Sequence, residues 1–333
     1  MIKLGLFLIG LVALTGLVWH VGPGRIVTTL SILGPIPLIL IFLPLFIVYV
    51  LEACGWYLTL GAPHAPKVGL VKLFMVRMAG EVINVTTPTG YVGGEPMKAY
   101  LLGKYGVPLV EGGASVVTAK TTMTMAQVMF ILMGLAVMVW VLGATDHNMI
   151  AVLVSVGVLA CGLGGLVIAQ RVGIGTGLLW LLRKLGIRLA WLEQRESQIR
   201  QLDDTIRRFY TERRGAFYAS VSTFLVAWMT ETFEVFAILY FLGVPVDWLS
   251  SFAIAALSVL IKGSVFFIPG SIGAQEAGYL LLLLGFGYDE VTGIAFALIR
   301  RLREILWIGI GLVFLMVLKG KNPLALSSSS SSY

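Results

Sequence analysis

Charge is scarce in this chain. Only 12% of its 333 residues are Asp, Glu, Lys or Arg, against 58% hydrophobic, and the mean hydropathy is +0.94. That balance excludes a soluble domain and leaves a polytopic membrane protein. Cysteine is scarcer still: Cys54 and Cys161 lie in apolar stretches without metal-ligand spacing, so they read as small hydrophobes and imply neither a disulfide nor a metal site. The histidines His20, His64 and His147 are dispersed, and neither a zinc motif nor a nucleophile elbow occurs. No catalytic residue, cofactor or metal is therefore expected. RNA- and DNA-binding motifs are missing too. The formal charge of +7 gathers between apolar segments, as cytoplasmic loops do, so no nucleic-acid partner is expected. No small-residue cleavage site follows Lys3 and the apolar run Leu4 to Val18, which reads as a first transmembrane helix or signal anchor.

What the chain does have is apolar segments, at about 2–19, 35–60, 70–85, 108–142, 150–169, 216–242, 250–268, 272–286 and 291–318. Six are long enough to cross a hydrocarbon core, which takes about 20 helical residues. The other three are short, and with the polar stretch Glu95 to Gly106 they pair into two hairpins. Segment 170–215 carries ten arginines and lysines, Arg171 and Arg214 at its ends, which marks it cytoplasmic; loops 143–149 and 243–249 carry none. Counting from that anchor places both termini, Lys67 to Arg77 and Lys98 to Lys104 inside, with only Arg25 dissenting. Within the segment, Trp191 to Arg214 mixes both signs and reads as a surface helix at the membrane face.

Two runs break the apolar pattern: Thr86-Thr87-Pro88-Thr89-Gly90-Tyr91-Val92-Gly93-Gly94-Glu95-Pro96-Met97-Lys98, and Pro269-Gly270-Ser271-Ile272-Gly273-Ala274-Gln275-Glu276. In both, a glutamate follows the proline by seven positions. Upstream, Glu52, Gly61 and Pro63 recur as Glu234, Gly243 and Pro245 at identical offsets. The pattern predicts an internal duplication, with repeat 1 over about 35–106 and repeat 2 over about 216–286. With six full crossings the first hairpin enters from the cytoplasm and the second from outside, so the repeats are inverted, a layout common among secondary transporters. The expected fold is an all-α polytopic membrane protein of about six full spans and two re-entrant helical hairpins. Residues 1–326 form one transmembrane domain, and Ser327 to Tyr333 is a low-complexity tail expected to be disordered.

Irregular backbone at membrane depth requires a protein-lined or watery cavity, and ionisable residues there are site candidates. These are Glu52, Glu81, Glu95, Lys120, Glu231, Glu234, Lys262, Glu276, Arg300, Arg301, Arg303 and Glu304. Arg300 and Glu304 stand at i,i+4 and can neutralise each other along one helix face. Aligning the repeats on their prolines sets Glu81 opposite Lys262 as an ion pair. Gly93-Gly94 and Gly273 open short helices whose free N–H groups and dipole favour an anion such as phosphate, with Lys120 and Arg301 as countercharge. Glu95 and Glu276 at the same helix starts have three readings: they cap the helix, carry a proton, or bind a cationic headgroup.

Gly80-Glu81, Asn84, Thr87-Pro88, Gly90, Gly93-Gly94-Glu95-Pro96, Lys98, Tyr100, Ala119-Lys120-Thr121, and later Pro269-Gly270, Gly273-Ala274-Gln275-Glu276 and Arg301 together resemble the lysylphosphatidylglycerol synthase transmembrane-region family of flippase-like proteins, and are similar to its hopanoid-cluster members. The resemblance spans nearly the whole chain. It implies a multi-pass protein of a prokaryotic cytoplasmic membrane that binds and translocates a lipid with an anionic or phosphate headgroup. It also implies a lipid site at Thr87, Pro88, Gly90, Gly93, Gly94, Glu95, Lys98, Lys120, Pro269, Gly273, Gln275, Glu276 and Arg301. Aminoacyl-lipid enzymes of this group carry their synthase in a following soluble domain; none precedes Tyr333, so aminoacyl transfer is not implied and no enzyme is expected. The alternatives are an accessory presenting a lipid to a partner lipid-synthesis enzyme, and an intramembrane transferase acting on a lipid-linked substrate. The topology is open to test. Single cysteines at Asp146 and Asp247 in a Cys-free background should label from outside only; labelling from the cytoplasmic side alone would contradict the inverted repeat.

Overall fold

The computed structural model describes residues 34–61, 64–86, 93–143, 173–184, 194–265, 271 and 273–318, with scattered positions among 19–24 and 150–168. The expected first span, Trp19 apart, and the tail lie outside the described residues, as do loop 144–149 and eight of the twenty positions of 150–169, the other twelve being helical. What is described is helical. Helix α1 covers Pro35–Thr59, α2 Ala65–Val68, α3 Leu70–Thr86, α4 Gly94–Gly103 and α5 Leu109–Leu142. After the helices α6 (Ile174–Lys184) and α7 (Glu196–Glu212) come α8 (Arg214–Phe241), α9 (Trp248–Ser264), α10 (Ala274–Gly285) and α11 (Glu290–Val317).

The boundaries follow local chemistry. Proline opens α1 and α2, where its missing N–H costs nothing. Gly69 (φ +68°) turns the chain into α3, and Gly143 (φ +85°) ends α5, both in the left-handed region that glycine tolerates. Asp247 and Asp289 cap α9 and α11, accepting the N–H of Ser250 at 2.9 Å and of Thr292 at 2.7 Å.

Among the described residues three helices, α1, α5 and α8, are long and apolar enough to cross a membrane. Helix α11 matches α8 in length at 28 residues, but Arg300, Arg301, Arg303 and Glu304 interrupt its apolar character. At about 1.5 Å per residue, α3 and α9 reach about 26 Å and α4 and α10 about 15–18 Å, short of the ~30 Å core.

The order long, short, short, long occurs twice, as α1-α3-α4-α5 and α8-α9-α10-α11. The halves cross over: α1 packs on α8, α3 on α11, and α9 on α5. Small residues allow these approaches, as in membrane bundles generally. A methyl on Gly134 would strike Ala256, one on Gly311 would strike Val82 and the Met78 carbonyl, and one on Gly55 would strike the Phe224 ring. Large apolar side chains such as Ile36, Leu281, Val291 and Val317 stay exposed on the outside of the bundle, where lipid covers them.

Helix α7 bears on α5 and α6. Asp203 of α7 accepts the N–H groups of Gly175 (3.1 Å) and Thr176 (2.8 Å), so a carboxylate from one helix caps the start of another.

The bonds from Ser250 hold the exposed Asp247 carboxyl below its ordinary range. A depressed acid stabilises the folded state above its unfolded pKa of about 3.9, and that contribution is lost as pH falls through the folded value. Asp247→Ala should therefore cost about 0.5–1 kcal/mol at pH 7, the low end for a lost cap. Thermal unfolding in detergent should show wild type and variant converging below pH 4.

Candidate functional site

Fourteen ionisable side chains meet inside the bundle. Seven are carboxylates (Glu52, Glu81, Glu95, Glu231, Glu234, Glu276, Glu304) and seven are cations (Arg77, Lys98, Lys120, Lys262, Arg300, Arg301, Arg303), and all of them enter ion pairs. They fall into three groups around one cavity.

The first group surrounds the start of α4. Asn84, in the last turn of α3, accepts the Gly94 N–H at 2.7 Å and donates to Glu95 at 3.1 Å. Glu95 also takes Lys98 at 2.9 Å and lies 3.9 Å from Lys120, while Lys98 is 3.8 Å from Glu81. A methyl on Gly94 would strike the Gly80 carbonyl and the Asn84 side chain. Glycine is required there because α4 begins directly against α3.

The second group surrounds the start of α10. Gly273 (φ +79°) gives its N–H to Glu276 at 2.8 Å, and Arg301 binds the other Glu276 oxygen through Nε at 2.6 Å. Arg301 also reaches Glu304 at 2.8 Å, and Lys262 and Gln275 donate to Glu304 at 2.8 and 3.3 Å. Of the three readings of the two carboxylates, capping describes Glu276. Glu95 makes no cap bond to the helix it starts.

The third group lies between them. Arg77 pairs with Glu52, and Arg303 with Glu234. Arg300 binds Glu231 at 2.8 Å, with its Nε 3.6 Å from Glu234. Aromatic faces complete the shell: Arg300 lies 5.2 Å from the Tyr279 ring centroid and Arg77 5.0 Å from that of Tyr49.

A cavity of about 240 Å³ opens between the groups. Its wall includes Glu52, Arg77, Glu81, Lys120, Glu231, Lys262, Arg300 and Arg303, together with the neutral Tyr49, Gln127, Trp228 and Ser258.

Of the expected site residues, the structure brings Gly93, Gly94, Glu95, Lys98 and Lys120 together at one helix start, and Gly273, Gln275, Glu276 and Arg301 at the other. Thr87, Pro88, Gly90 and Pro269 lie outside the described residues. Two expected pairings and one placement are corrected. Arg300 turns across to α8 and Glu231, and it is Arg301 that meets Glu304, at i,i+3. Glu81 lies beside Lys98 while Lys262 goes to Glu304. Arg77 belongs to the bundle interior with Glu52 and not to a cytoplasmic loop, because α3 already begins at Leu70, two turns earlier. Asn84 stood out only within the family resemblance, and its three bonds, to Gly94, Glu95 and Glu81, could not be read from spacing.

The comparisons place this geometry in a family. The model of the lysylphosphatidylglycerol synthase transmembrane region matches residues 1–312. A UPF0104 membrane protein of Methanothermobacter thermautotrophicus is 26% identical over 313 residues, covering 89% of each chain. No solved structure matches. The chain belongs to the lysylphosphatidylglycerol synthase transmembrane-region family.

The contact at Gly94 makes a clear expectation. Gly94→Ala should destabilise the protein by about 1–3 kcal/mol through overpacking. Gly103→Ala in the same helix, with nothing within 4 Å of the added methyl, should be neutral in the same thermal unfolding assay.

Proposed function

We propose that this integral membrane protein binds the headgroup of an anionic lipid in its central cavity and carries it across the membrane. The carrying observation is Lys120. Each of the other cations on the cavity wall is held by a carboxylate, Arg77 by Glu52, Lys262 by Glu304, Arg300 by Glu231 and Arg303 by Glu234. Lys120 stands 3.9 Å from Glu95, beyond hydrogen-bond distance, with its side chain 41% exposed. An arriving phosphate needs a cation whose charge is not already neutralised at close range, and Lys120 is that cation.

The helix starts are a weaker source of donors, since Asn84 takes the Gly94 N–H and Glu276 takes the Gly273 N–H. We therefore assign the headgroup to the side chains of the cavity, with the two hairpins as walls. Inverted repeats that rock about this site would expose it to either leaflet in turn. The arginines of 170–215 favour a cytoplasmic-membrane protein with that segment and both termini inside. No chemical step is assigned.

Translocation of fluorescent phosphatidylglycerol by purified protein in liposomes, read by dithionite quenching, tests the proposal. Lys120→Gln should slow translocation at least about tenfold, the scale of one charge-assisted contact, while thermal stability stays near wild type. Glu95→Gln should abolish translocation and also lower stability, since it removes the closest partner of the buried Lys98. Glu276→Gln should also lower stability, since it removes a partner of the buried Arg301. Headgroup binding without translocation in wild type would favour an accessory that presents lipid to a synthase.

A further inference from the structure

We infer that the cavity holds a second, uncharged subsite, formed by Gln127, Ser258 and Tyr49, which selects a phosphate ester bearing hydroxyl groups, a polyol or sugar headgroup, over one bearing an amine. The inference rests on the assignment of the phosphate to Lys120.

Ser258 of α9 is fully buried and on the cavity wall, and its Oγ has no hydrogen-bond partner among the described residues. Helical serines commonly bond back to the carbonyl four residues earlier. Two others in the same helix do so, Ser251 to Asp247 and Ser264 to Leu260, each at 2.8 Å. The Gln127 amide and the Tyr49 hydroxyl border the same cavity, and neither forms a hydrogen bond with a described residue. A buried polar group left unpaired costs about 1–3 kcal/mol, and such groups nearly always have a partner. The buried Ser258 hydroxyl, with the half-buried Gln127 amide and Tyr49 hydroxyl around the same chamber, points to hydrogen-bonding contents.

The charges decide what kind. An ammonium group needs a carboxylate that is not already neutralised. Glu52 and Glu231 are held by arginines, and Glu81 accepts from Asn84 at 3.3 Å and sits in the combined field of Lys98, Arg77, Lys120 and Lys262. Hydroxyl groups instead match the amide and the two hydroxyls, each able to donate and to accept. Lys120 and Gln127 share one face of α5 at i,i+7, about 10 Å apart along the axis. Both line the cavity, so a phosphate at the first leaves its ester to extend along that face toward the second.

Calorimetric titration of the purified protein in detergent with dihexanoyl lipids separates the ideas. Dihexanoyl phosphatidylglycerol should bind about tenfold tighter than dihexanoyl phosphatidic acid or phosphatidylethanolamine, a preference of one or two hydrogen bonds. Gln127→Met and Ser258→Ala should each erode that preference while leaving phosphatidic acid within about twofold of wild type. Ser258→Ala should also unfold at the same or a higher temperature, since it removes an unpaired buried hydroxyl. Equal binding of phosphatidylglycerol and phosphatidic acid by wild type, or tighter binding of phosphatidylethanolamine, overturns the subsite. Failure of both anionic lipids to bind, indifference of both to Lys120→Gln, or sn-glycerol 1-phosphate binding as tightly as the lipid overturns the underlying lipid-headgroup reading instead.

Discussion

The architecture depends on the mutual neutralisation of charges that the bilayer would otherwise reject. A lone ionised side chain at mid-depth costs about 2.5–3.5 kcal/mol on insertion scales, and stripping one member from a buried pair costs about 3–5 kcal/mol. Helix α11 shows what this enforces. Arg300, Arg301 and Arg303 are 2–4% exposed, so the helix cannot turn that face to lipid. It must present it to Glu231 and Glu234 on α8 and to Glu276 on α10. Those pairings set the rotation of α11, and its other side then packs on α3, where Gly311 admits Val82.

The two halves share a scaffold and differ in their latches. In the first, the start of α4 is tied to α3 by a neutral amide, Asn84. In the second, the start of α10 is closed by its own Glu276, which Arg301 links to α11. The buried glutamates Glu52 and Glu234 occupy corresponding positions, but Arg77 from the same half answers the first, and Arg300 and Arg303 from α11 answer the second. The same helix order with different charges gives the cavity unlike walls.

Much of this was legible in the chain itself. Seven of the nine expected apolar segments coincide with described helices to within about four residues, since apolar runs end where Gly, Pro or Asp cannot continue them. The short lengths of α3, α4, α9 and α10 agree with hairpins. Pairing was much less legible. Spacing along one helix suggested Arg300 with Glu304, but an arginine reaches across to whichever neighbouring helix offers a desolvated carboxylate, and that depends on helix rotation. Gln127 and Ser258 were invisible for a different reason: single neutral polar residues in apolar helices usually bond to their own backbone, and only coordinates reveal one that does not.

The balance of seven acids and seven bases bears on membrane voltage. With all fourteen ionised, pairs that shift together move no net charge through the field, so a potential of 100 mV, worth about 2.3 kcal/mol per elementary charge, does no work on them. The empty protein can then change its shape without regard to the energised state of the membrane. Loaded with a headgroup of one negative charge, the same body acquires a valence, and the potential favours passage of that charge toward the positive side. In the transport cycle proposed above, any electrical bias would belong to the cargo.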